Sequence, residues 1–150
     1  MTARSSAGSS IKISAGNPAT FDAAGFGALS FTSIGEVTNI GDFGRVYQLI
    51  KHNPLATRDT KKLKGSYDPG SAELQLALDN ADAGQVLAKA ASVSDSAYSF
   101  VVTSQDGHKW YFQALVIEFQ VGIGAVNDIT KAKIKIEITS NSAGLDFVEV

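Results

Sequence analysis

The chain has 150 residues, with 13 Lys and Arg against 15 Asp and Glu, a formal net charge of −2, and no cysteine. That length suffices for one domain that buries about two-thirds of its unfolded surface without covalent staples. The missing thiols exclude a disulfide framework and a thiolate metal site, and the near-balanced charge excludes a general electrostatic hold on phosphate.

No run reaches the roughly 18 apolar residues of a membrane helix. The opening MTARSSAGSS lacks the apolar centre of a signal peptide, so neither a membrane segment nor Sec export is expected. Residues 1–10 read as a flexible N-terminal arm. Residues 11–14 (IKIS) make a short strand, stopped where Pro18 removes a ladder donor. Residues 16–28 form a loop with Phe21 and Phe26 as aromatic anchors. The stretch 29–40 (LSFTSIGEVTNI) is a strand with Gly35 as a bulge point. After the turn at 41–44, residues 46–52 (VYQLIKH) return as its hairpin partner. The character then changes: 53–64 (NPLATRDTKKLK) is an extended basic loop, longer than a compact domain tolerates without a use for it. Strands over 63–67 and 72–79 flank the turn Asp68-Pro69-Gly70, and Leu74, Leu76 and Leu78 alternate with polar residues. One helix is predicted over 80–91, capped by Asp79 or Asn80, with Asp82 favoured by the helix dipole. Its apolar stripe is Ala83, Val86, Leu87 and Ala90. A strand over 98–104 enters a tight turn at Asp106-Gly107, both of whose central positions can take positive φ. Residues 140–150 are a C-terminal tail.

The strand at 109–122 (KWYFQALVIEFQVG) is long and apolar on both faces. Trp110, Phe112, Ala114 and Val116 share one side; Tyr111, Leu115, Ile117, Phe119 and Val121 share the other. Its partner at 130–139 alternates cleanly, Ala132, Ile134, Ile136 and Ile138 against Lys131, Lys133, Lys135 and Glu137. A small antiparallel domain normally leaves each sheet one wet face. The second face of 109–122 therefore needs a cover, either a helix of the same chain or another subunit.

Catalytic chemistry is not nominated anywhere. His52 and His108 are not at metal-ligand spacing, and no Gly-x-Ser-x-Gly elbow occurs. Gly25-x-Gly27 has no strand before it and no helix after it, unlike a dinucleotide fingerprint. No catalytic residue, metal or cofactor is expected.

The ordered series of these pieces resembles the major tail tube proteins of tailed phages, especially those with long non-contractile tails. The resemblance spans residues 29–140. It rests on the Gly-Glu-Val-Thr-x-Ile strand at 35–40, the hairpin and basic loop, and Lys64-Gly65-Ser66-Tyr67-Asp68-Pro69-Gly70 entering an alternating strand. The single helix, Asp106-Gly107 before a long aromatic strand, and Asn127-Asp128-Ile129-Thr130 before the closing strand complete it. Ser140 departs from the glycine expected after the last strand. The resemblance implies a mainly β fold, an antiparallel sandwich or barrel with one short flanking helix and a long extended loop, over a single domain of residues 1–150. It implies a homo-hexameric ring whose strands join into one barrel, stacked into a tube in the virion and assembled in the host cytoplasm. The implied partners are tail-tip, tape-measure and tail-terminator proteins, and DNA passes through the lumen without specific binding. Lumen-facing candidates are Glu36, Asp42, Glu73 and Glu118. Arg58, Lys61, Lys62 and Lys64 are candidates for ring-to-ring docking. Tyr47, Leu49, Tyr111, Leu115, Ile117 and Phe119 are candidates for subunit-interface strands. Two other classes fit the residues: a secretion-system tube protein of the same fold, and a carbohydrate-binding β-sandwich using Trp110, Tyr111 and Phe112. A head–tail or tail-terminator component is a further ring-forming alternative.

Overall fold

Residues 3–150 are described by a computed structural model. In chain order the strands are β1 (Ser10–Ser14), β2 (Thr32–Ser33), β3 (Val37–Asn39), β4 (Val46–His52), β5 (Lys61–Asp68), β6 (Ser71–Ala77), β7 (Tyr98–Thr103), β8 (Lys109–Gly122), β9 (Lys131–Thr139) and β10 (Phe147–Glu149). The helices are α1 (Ala23–Gly27) and α2 (Ala83–Ser92). The main sheet is antiparallel and runs β2-β1-β7-β8-β9-β6-β3, with β10 on the edge of β8 beyond the end of β9. It curls into a half-barrel around one core. The class is mainly β, as predicted.

The core follows from strand alternation. Ala132, Ile134, Ile136 and Ile138 of β9 point inward beside Ala72, Leu74 and Leu76 of β6, and Ile11, Ile13, Phe100 and Phe112 complete the layer. Helix α2 lies across the open side against β8, β1 and β2. Its buried face is Gly84, Gln85, Ala88 and Ala91, rotated from the predicted stripe; Val86 is exposed. The reason is local. A Cβ on Gly84 would lie 2.1 Å from the Ser33 carbonyl oxygen, so only glycine lets the helix come this close. Gln85 then donates to the carbonyls of Gly35 and Ala77, both at 3.0 Å, and accepts from the Asp79 amide at 2.9 Å. The cap is Asp82, which accepts from the amides of Gln85 and Gly35, each at 3.0 Å.

The two-faced strand has two explanations. A β-bulge between Val116 and Glu118 adds Ile117 to β8: Val116 opposes Ile136, but Glu118 opposes Lys135 and Phe119 opposes Ile134. The bulge reverses the phase of alternation, so Phe119 packs on the core instead of sharing a face with Tyr111. Before the bulge, the second face is covered by α1, an element read from the sequence as loop. Asp22 caps it, accepting from the Gly25 amide at 2.7 Å, which holds the Asp22 carboxyl below its usual range. Phe26 stacks on Tyr111 with ring centroids 5.3 Å apart. Of the two covers considered, this part of β8 uses its own chain.

Four further predictions are corrected. The stretch 29–40 is not one strand: β2 and β3 sit on opposite edges of the sheet, separated by a crossing segment with Glu36 at φ 59°. Consequently β3 pairs with β6, and the hairpin partner of β4 is β5. The extended loop shortens to residues 53–60, because Lys61, Lys62 and Lys64 belong to β5. At the β7–β8 connection only Gly107 has positive φ; its amide donates to the Ser104 carbonyl at 2.9 Å, making a three-residue loop instead of a two-residue turn. Residues 1–2 of the predicted arm lie outside the described residues. Arg4 is ion-paired with Asp106, whose carboxyl is lowered to about 2, first by the Ser104 hydroxyl and then by the His108 amide and Arg4. The tail docks: β10 pairs with β8 and Asp146 is buried.

Candidate assembly surface

The β4–β5 hairpin stands apart from the half-barrel. Among the described residues its strands pair only with each other, and every side chain of β4 is exposed. Its composition does not suit that position. Val46 is 64% exposed, Leu49 58%, Ile50 49% and Leu63 62%. Register puts Tyr47, Leu49, Tyr67 and Lys64 on one face and Val46, Ile50 and Leu63 on the other. A seven-residue strand reaches about 23 Å, and an isolated two-stranded ribbon is at best marginal in water. Such a ribbon leaves apolar surface in water on both faces.

Its base is fixed to the body. The Arg45 guanidinium makes a bidentate pair with the buried Asp146 carboxylate, Nε to Oδ2 at 2.7 Å and Nη2 to Oδ1 at 2.8 Å. The hydrogen bonds from Arg45 hold the Asp146 carboxyl below its usual range and raise Arg45 further. Arg45 also lies over the Tyr67 ring, 4.4 Å from its centroid, and donates to the Tyr47 hydroxyl at 3.3 Å. The Tyr67 hydroxyl donates to the Gly144 carbonyl, also at 3.3 Å. Neither Arg45 nor Asp146 is marked in the sequence, since 101 positions separate them.

A second uncovered region lies at the far end of β8 and β9. β7 pairs with β8 only as far as Ala114, so residues 115–122 of β8 carry an edge that no strand of this sheet occupies. Ile117 and Val121 are exposed there, as are Ile123, Val126 and Ile129 in the following loop. An unpaired edge of this length is a template for another strand.

The structure divides the predicted residues. Tyr47 and Leu49 lie on the hairpin and Ile117 beside the free edge, all exposed, with Leu115 half-buried. Tyr111 is buried against α1, and Phe119 is half-buried against the core. Arg58 is in the 53–60 loop, whereas Lys64 holds its ammonium 4.6 Å from the Tyr47 ring centroid. Glu73 and Glu118 flank Lys135 across three strands. Glu36 and Asp42 are exposed elsewhere, in the segments before β3 and β4. Among the described residues no three His, Asp or Glu side chains gather to hold a metal ion, and no helix is long and apolar enough to cross a membrane.

The fold, a curled antiparallel half-barrel with one helix across its open side and a detached hairpin, is similar to chains solved in phage tails and contractile injection systems. The solved structures that share it include a chain of the anti-feeding prophage baseplate (TM-score 0.73, 13% identity, covering 100% of this chain and 97% of that one). A chain of the sheath/tube terminator of the extracellular contractile injection system PVC, in its extended state, gives 0.69 at 9% identity, covering 100% and 98%. The SPP1 tail tube gives 0.64 at 14% identity, covering 94% and 75%. No protein-family model matches the chain, and no curated protein matches it in sequence.

Proposed function

We propose that this chain is the major structural subunit of a phage tail tube. Copies join side by side into hexameric rings, the rings stack, and DNA crosses the lumen during ejection. The observation that carries this reading is the detached β4–β5 hairpin, apolar on both faces, on a chain whose fold is that of tube proteins and whose β8 edge is open. A hairpin laid along the β8 edge of the next copy would cover both exposed regions at once and remove the open edge. The loop at 53–60, with Arg58 near its tip, reaches toward the neighbouring ring. Tail-tip, tape-measure and tail-terminator proteins are the partners this role requires, and the virion is its location, after assembly in the host cytoplasm.

The test is negative-stain electron microscopy of the purified protein over a concentration series, with light scattering alongside. Hollow rings or tubes are expected. Protein that stays monomeric at high concentration, and also fails to extend tubes on isolated tail-tip complexes, would refute the proposal. A second reading, the tube subunit of a contractile injection system, is favoured by the two baseplate and terminator chains, which cover the whole of this one. Tubes that recruit a contractile sheath would select it.

A further inference from the structure

The outer face of the sheet is covered by α1 only near Tyr111 and Val101; across β6, β9 and β8 it is open, and its charges are ordered. Residues paired across an antiparallel ladder share a face, so four rows can be read directly from register. They are Ser71–Glu137–Leu115, Glu73–Lys135–Glu118, Gln75–Lys133–Gln120 and Ala77–Lys131–Gly122. Lys131, Lys133 and Lys135 are thus balanced one for one by Glu73, Glu118 and Glu137. Lys135 stands between two carboxylates, and the Lys133 ammonium is 3.8 Å from Glu73 Oε1.

Strands are about 4.8 Å apart and alternate residues about 6.8 Å apart along a strand, while screening at physiological salt sets in beyond about 8 Å. A phosphate brought to Lys133 or Lys135 therefore also meets a carboxylate within the screening distance. We infer that Glu73, Glu118 and Glu137 act as built-in counterions that withhold the β9 lysines from the phosphodiester backbone of duplex DNA. The inference rests on the tube reading and adds to it that this open polar face, which carries the lumen candidates Glu73 and Glu118, borders the lumen. A wall compensated in this way neither repels DNA nor grips it. The three lysines are what would grip if the glutamates were lost.

The experiment compares the wild-type protein with the triple variant E73Q/E118Q/E137Q for binding of a fluorescent 20-base-pair duplex, by anisotropy across a salt series. All three positions are solvent-accessible, and circular dichroism checks that each protein is folded. The variant is expected to bind at least tenfold more tightly than wild type at low salt. Its log–log salt slope should approach about −2.7 for three freed phosphate contacts. Adding K131Q/K133Q/K135Q to that variant should abolish the gain, and single E73Q should give part of it. A triple variant no tighter than wild type, or a wild type that already binds with a slope near that value, would overturn the inference. Because the assay needs no assembly, its outcome is independent of whether microscopy finds tubes.

Discussion

Leu49 and Leu63 lie on opposite faces of the β4–β5 hairpin, each more than half exposed. Full burial of such a side chain stabilises by about 1.5–3 kcal/mol, so covering the area still open on each gains about 1 kcal/mol. In the proposed tube each added subunit buries its hairpin once. The double substitution Leu49→Ser/Leu63→Ser therefore removes about 2 kcal/mol per added subunit, roughly a 30-fold rise in the critical concentration at about 1.4 kcal/mol per decade. Sedimentation of polymer over a dilution series measures it. The isolated fold should hold its thermal midpoint, since both side chains already face solvent, and exposed substitutions away from special features usually cost within about 0.5 kcal/mol. Val93→Ser, at a still more exposed position just after α2, serves as control and should leave the critical concentration unchanged. A shift under threefold in the double variant, with its fold intact, would refute the claim that the hairpin is buried on assembly.

Three other outcomes test the account of the fold. Gln85→Leu keeps the volume but removes three hydrogen bonds and orphans the Asp79 amide and the Gly35 and Ala77 carbonyls. At about 1 kcal/mol per bond it should destabilise by about 3 kcal/mol or more in urea melts, and a loss under 1 kcal/mol would mean that Gln85 does not tie α2 to β3 and β6. Phe112→Ala, at a fully buried ring between Phe100 and Phe147, should cost about 3–5 kcal/mol, measured the same way. For Asp146 the sign follows from its lowered carboxyl. Arg45 stabilises the ionised form in the folded state, so the contribution is present above the ordinary carboxylate range, near pH 4, and is lost as pH falls through and below it. Asp146→Asn should flatten the wild-type decline in urea midpoint between pH 5 and pH 3; parallel curves would show that the pair contributes nothing.

Where local pattern met a single environment, the sequence was readable. Strands β8 and β9 and the mainly β class follow from alternation and length, and the inward side of β9 is fixed by four aliphatics set against three lysines and a glutamate. The places that resisted share a cause. Helix α1 is five residues long and is held by Asp22 and by Phe26 on Tyr111, contacts that no local propensity expresses. The α2 face was misjudged because apolar residues were ranked above a glycine and a glutamine. Close approach to Ser33 and the three hydrogen bonds of the buried Gln85 outweigh the apolar surface of Val86.

The same contrast governs the candidate site. The sequence by itself determined a mainly β chain without cysteine, with an exposed basic segment and one strand too apolar for a single covered face, because each of these is a property of composition or of a two-residue period. Only the tertiary structure decided that the apolar run of β8 is two opposite phases joined at Ile117, and that β4 turns to β5 instead of β3. It also decided that Arg45 meets Asp146 to fix the base of the hairpin to the body, and that Lys131, Lys133 and Lys135 face as many glutamates. Those facts depend on register between strands far apart in the chain, and register is set by the whole core closing at once.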